Sequence, residues 1–176
     1  MHRLLIAAAF CLPTAGFAAS TDSTPPTPTE TTRTCTGGQI WSDAAQACVN
    51  AQESRLDDDT LYQAARELAY AGQYDNALLV LAAMSDAGDD RVLTYKGFAH
   101  RKRGDVDLGN AYYRQAIARN PDNLTARSYM GQGFVEAGNL DAARAQLTEI
   151  RARGGRGGWA ELSLRLAIEN GRGYSY

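Results

Sequence analysis

The chain has 176 residues, 44% of them hydrophobic and 22% charged, with a formal net charge of −2. That balance argues against a nucleic-acid binder, which needs concentrated positive charge to meet phosphates. Two histidines and three cysteines leave little material for metal or acid–base chemistry. In chain order, Met1-His-Arg3, the apolar run Leu4 to Leu12 and the small residues Gly16 and Ala18 form a basic head, an apolar core and a cleavage pattern. This predicts a signal peptide over 1–18, cut after Ala18, and hence a periplasmic or secreted chain. The apolar run is too short to be an integral membrane span, and the bulky Phe10 before Cys11 argues against lipid attachment.

Residues 19–34 carry seven threonines and three prolines with hardly an apolar side chain. Such composition cannot repay the entropy of ordering, so a disordered linker is expected. Next come Cys35 and Cys48, flanking Gly37-Gly38 and Trp41. With Cys11 removed, the cysteine count is even in an oxidising compartment, which predicts a Cys35–Cys48 disulfide stapling a small hairpin over 35–50. This stretch also resembles half of a peritrophin-type chitin-binding module, which would make Trp41 a stacking platform for chitin or peptidoglycan.

From Asp57 the chain turns to alanine, leucine, arginine and glutamate at a helical period. Asp57-Asp58-Asp59 reads as a helix start favoured by the helix dipole, since no calcium-loop spacing follows. Helices are expected at about Asp58 to Ala71, Tyr74 to Ser85, Asp90 to Arg103, Val106 to Arg119, Leu124 to Ala137, Leu140 to Arg153 and Trp159 to Asn170. The stretch 90–123 aligns with 124–155 at an offset of 34: Gly97 with Gly131, His100 with Phe134, Gly109 with Ala143, Tyr113 with Leu147. It aligns with 57–89 at an offset of 32: Ala65, Leu68, Ala77 and Leu81. A period near 34 marks a helical repeat. The small residues fall where the paired helices approach closely, and the large ones fill the gaps beside them.

This spacing of a small residue, an aromatic, an alanine, a second aromatic and the late Pro121 resembles the tetratricopeptide repeat family. Departures are Leu61, Leu93 and Arg127 in place of the early tryptophan. The resemblance implies an all-α fold: a right-handed superhelical array of about three helical hairpins over 57–155, with the small disulfide hairpin at its N-terminal end. Residues 158–170 would form a C-terminal helix capping the last apolar face, and 171–176 a flexible tail. It also implies a concave surface lined by the first helix of each hairpin. Carried over by register, that groove holds Tyr62 and Arg66, then Thr94, Phe98 and Arg101, then Ser128, Gln132 and Val135. Aromatic and arginine side chains suit an interface, and the arginines imply a peptide or partner helix carrying acidic groups.

Enzyme signatures are missing. His2 leaves with the signal peptide, His100 stands at a packing position, and no serine elbow, phosphate-binding glycine loop or zinc spacing occurs. No cofactor or metal is expected. Asn123-Leu-Thr125 fits a glycosylation pattern, but Asn123 directly precedes a helix and reads as its cap. Arginine-over-lysine usage with abundant alanine points to a bacterial chain. The reading is therefore a non-enzymatic interaction scaffold of the bacterial cell envelope, with polysaccharide binding through the Cys35–Cys48 hairpin or a purely structural spacer as the alternatives.

Overall fold

Acidic and amide residues sit where helices begin, and several of them act as N-caps, satisfying an N–H that the first turn leaves unpaired. In a computed structural model describing residues 24–173, Asp57 accepts from the Thr60 amide at 2.8 Å and Asn123 from Ala126 at 2.7 Å. Asn139 accepts from Ala142 at 3.1 Å. The caps open α2 (Asp58–Tyr70), α6 (Leu124–Glu136) and α7 (Leu140–Ala152). Between them run α3 (Tyr74–Leu81), α4 (Asp90–Lys102) and α5 (Val106–Arg119), and α8 (Trp159–Asn170) closes the array. Turns inside the second and third hairpins use Gly104 and Gly138, at φ +99° and +76°, where a side chain would be strained.

The helices pair as α2 with α3, α4 with α5 and α6 with α7, and α8 packs on α6 and α7. The expected architecture of three hairpins and a last helix is present. The expected signal peptide and residues 174–176 of the tail lie outside the described residues. Helix α3 ends at Leu81 rather than Ser85: the first repeat is two residues shorter, and Asp58 takes the Ser85 amide at 3.0 Å, turning the chain back sooner.

Close approach explains the small residues. A Cβ at Gly97 would lie 2.6 Å from the Tyr113 ring and 3.0 Å from the Gly109 carbonyl oxygen, so α4 and α5 touch backbone to backbone. Gly97→Ala should therefore cost about 1–3 kcal/mol through overpacking, despite alanine's better helix propensity. An unchanged urea midpoint would contradict that close contact. Gly131 differs from the expectation, because its Cβ would meet the Leu164 side chain of α8 at 2.7 Å. There the glycine makes room for the last helix, not for its hairpin partner.

Ahead of the array stand α1 (Glu30–Arg33) and two strands, β1 (Gln39–Ser42) and β2 (Ala47–Asn50), antiparallel with Trp41 opposite Cys48. Cys35 and Cys48 are joined as expected. The stapled hairpin is part of the main core: Ile40 is buried among Leu61, Leu81 and their neighbours, and Gln52 Nε2 donates to the Leu79 carbonyl at 3.0 Å. It covers the outer face of the first hairpin. The threonine–proline segment departs from its expectation as a mobile linker. From Thr24 it lies against α2, because Glu67 supplies the acceptors that its backbone and hydroxyl groups need.

Candidate functional site: the concave face

The first helices α2, α4, α6 and α8 stack side by side, and one contact identifies the inward-curving face. The Tyr70 hydroxyl of α2 lies 2.6 Å from the Tyr129 hydroxyl of α6, passing over α4. Two helices separated by a third meet only where the stack curves inward. Beneath this bridge Phe98 stacks on Tyr70 with centroids 5.9 Å apart and packs on Tyr129 at 4.9 Å.

Along the same face the 33- and 34-residue spacing of Tyr62, Tyr95 and Tyr129 builds an aromatic ladder. Edge-on ring contacts of 5.7 and 5.9 Å join its steps, a favoured arrangement for aromatic pairs. Its hydroxyls are linked as well: Arg66 Nε donates to Tyr95 at 3.2 Å, and the Tyr95 and Tyr129 hydroxyls are 3.2 Å apart. At the far end the ladder becomes polar. Ser128 and Ser163 share a hydrogen bond of 3.0 Å, with Gln132 Nε2 donating to Ser128 at 3.4 Å.

None of the eight residues expected to line an open groove lies on an open surface, and Val135 packs in a separate cluster with Leu147, Ile150 and Leu164. Tyr62, Arg66, Thr94, Phe98, Arg101, Ser128, Gln132 and Val135 are all buried, between 0% and 4% exposed. The correction has a physical reason. Tight curvature lets Tyr70 close over Phe98, Thr94 donates to the Asp90 carbonyl, and the N-terminal segment covers Arg66, whose Nη2 donates to the Thr24 carbonyl at 2.9 Å. The floor of the concave face is filled by the chain itself.

What stays open is the rim. Tyr70, Lys102 and Glu136 occupy one register position in successive repeats, at offsets of 32 and 34; Tyr70 and Lys102 are half-buried and Glu136 is exposed. The repeat register held this row too. The expectation passed over it because helical periodicity singles out neighbours one position earlier. Lys102 Nζ pairs with Glu136 at 3.3 Å, and Glu136 also binds the buried Arg101, which donates through Nε to Tyr113 at 3.4 Å. Arg101 is thus committed internally and cannot offer an acidic ligand a free charge.

Burial pushes the Glu136 carboxyl up, but the charges and hydrogen bonds of Arg101 and Lys102 outweigh it and hold the group below its ordinary 4.5. A folded-state pKa below the unfolded one contributes stability above pH 4.5, and this is lost as pH falls through the lowered value. Urea midpoints should accordingly fall between pH 5 and pH 3 (roughly the carboxylate range) in the wild type. They should fall less in Glu136→Gln; identical pH profiles would show that the pair carries no linkage.

Asn123 meets its expectation as a cap and does more. Its Nδ2 donates to Asp90 Oδ2 at 2.6 Å and to Thr94 Oγ1 at 2.9 Å, tying the third hairpin to the second. Trp41, the expected sugar platform, is half-buried, with its indole N–H on Asp43 at 3.0 Å. A shallow depression of about 560 Å³ beside it is lined by Ser42, Val49, Asn50, Ser54 and Leu56, without Trp41. Among the described residues no helix is long and apolar enough to cross a membrane, and no group of three histidine, cysteine, aspartate or glutamate side chains could hold a metal ion.

No curated protein and no solved structure matches the chain. Residues 100–162, from the end of α4 into α8, match the family model for the tetratricopeptide repeat. Repeats of this family serve as modules for protein–protein interaction. The family model covers the second half of the array and the same hairpin unit recurs ahead of it, so residues 100–162 are a tetratricopeptide repeat region of this chain.

Proposed function

We propose that the array is a non-enzymatic interaction module of an exported, cell-envelope protein, and that it takes a partner segment along the rim of its concave face. The observation that carries this reading is the row Tyr70, Lys102 and Glu136, set at one register position above a floor that is already packed. A rim of an aromatic, a cation and an anion suits a mixed polar segment, and the acidic partner implied by Arg66 and Arg101 loses its support because both arginines are engaged within the chain. Export is supported by the leader-like start of the sequence and by the Cys35–Cys48 disulfide, a bond that persists in oxidising compartments.

A rim of this size buries no more than a standard interface of roughly 1,600 Å², so affinity of micromolar order, about −8 kcal/mol, is expected. The test is crosslinked capture from cell envelopes with the wild type and with Tyr70→Phe, Lys102→Ala. These positions are partly solvated, whereas alanine at the buried Arg66 or Phe98 would test folding instead. The double variant should keep its helical circular dichroism and lose the captured protein. Equal recovery of the same proteins by both chains overturns the rim as the binding surface.

A further inference from the structure

Glu67 stands apart in the repeat register. The equivalent positions are Ala99 in α4 and Gly133 in α6, both buried. A Cβ at Gly133 would already lie 2.9 Å from Arg101 of the preceding hairpin, so in the third hairpin this position packs against the hairpin before it. Among the described residues no helical hairpin precedes the first. Its corresponding face carries a carboxylate, 7% exposed, and that carboxylate is filled by the N-terminal segment.

Glu67 Oε1 accepts from the Thr29 amide at 2.6 Å, the Thr32 hydroxyl at 2.7 Å and the Thr32 amide at 3.3 Å, while Oε2 accepts from the Thr29 hydroxyl at 2.8 Å. Gln73 Nε2 donates to the Thr32 carbonyl at 3.3 Å, and Arg66 Nη2 to the Thr24 carbonyl. One carboxylate thus binds the first turn of α1, where free backbone N–H groups favour an anion, and one guanidinium binds the extended stretch before it.

The segment is held by polar groups with little apolar burial. Thr24, Pro25, Thr27, Pro28, Thr29 and Glu30 are exposed, and Thr31 is its one buried residue. The stapled hairpin that follows is fixed differently, by Ile40 in the core and by the disulfide. Release of residues 24–34 would break the bond from the Trp41 amide to Thr31 Oγ1 at 3.2 Å, while Ile40 and the disulfide would still hold the stapled hairpin.

We propose that this end face of the first hairpin is a peptide site whose built-in ligand is Thr24 to Thr32. It takes in exchange a partner segment of the same chemistry: a first helical turn bearing threonine or serine hydroxyls three residues apart, preceded by an extended, proline-bearing stretch that offers a carbonyl to Arg66. The site is separate from the rim row, which does not include Arg66 or Glu67.

The probe is a labelled peptide of residues 24–34, added to the full chain. In the wild type the intramolecular copy is present at an effective concentration of millimolar order, so the peptide finds the site occupied. In Thr29→Ala, Thr32→Ala the internal segment loses both hydroxyl donors, and the peptide should bind at least about tenfold more tightly than to the wild type. Adding Glu67→Gln, which replaces one acceptor oxygen by a donor, should abolish that gain. Glu67→Gln alone should speed amide hydrogen exchange at Thr29 and Thr32 and leave α4 and α6 unchanged. Equal peptide binding by wild type and the double threonine variant overturns the proposal, as does exchange at Thr29 and Thr32 that Glu67→Gln does not alter.

Discussion

Replacing Tyr95 with alanine is expected to lower stability by about 3–5 kcal/mol, the cost of truncating a buried aromatic and leaving its cavity. Tyr95 is 0% exposed and holds the middle of the aromatic ladder, with Tyr62 and Tyr129 edge-on and Phe98 at 6.1 Å. A domain of this kind has about 5–15 kcal/mol in all, so the variant should be partly unfolded at 37 °C. Tyr95→Phe separates packing from hydrogen bonding. It keeps the ring contacts and loses only the hydroxyl shared with Arg66 and Tyr129, at roughly 1 kcal/mol. Urea denaturation followed by circular dichroism measures both. Equal midpoints for the alanine and phenylalanine variants would mean that the ladder's packing does not hold the hairpins together.

Removing the disulfide should have the next largest effect. Cys35 and Cys48 are 13 residues apart, and opening a loop of that size frees the unfolded chain by roughly 3 kcal/mol on the chain-entropy account. The hairpin places Ile40 in the main core and Gly38 against Leu79, so loosening it uncovers the outer face of α2 and α3. Cys35→Ser, Cys48→Ser should lower the urea midpoint of the whole array and speed amide exchange at Ile40. A variant that loses protection at Ile40 yet keeps the wild-type midpoint would show the hairpin to be an appendage and not a cap.

Helix positions were legible in the chain because their signals are local. Asp57, Asn123 and Asn139 supply caps within three residues of the amides they satisfy, glycines mark the turns, and the 32- and 34-residue offsets are read by counting. The disulfide was legible from the pair Cys35 and Cys48, the two cysteines that remain once the expected signal peptide is set aside. Which side chains reach solvent on the concave face was not. That depends on how sharply successive hairpins curve, and the curvature emerges from contacts such as Tyr70 with Tyr129, 59 residues apart.

The sequence by itself thus determined the repeat, the pairing of helices within each hairpin, the last helix and the stapled hairpin, all of which follow from periodicity, capping and close approach over short separations. Tertiary structure alone decided that the eight register-matched residues are buried and that Tyr70, Lys102 and Glu136 remain at the rim. It also decided that the threonine–proline segment is ordered from Thr24 on. A polar segment without apolar side chains orders only when donors and acceptors elsewhere in the chain are already in place. Here Glu67 and Arg66 of α2 are held ready by the hairpin they belong to, more than thirty residues along the chain.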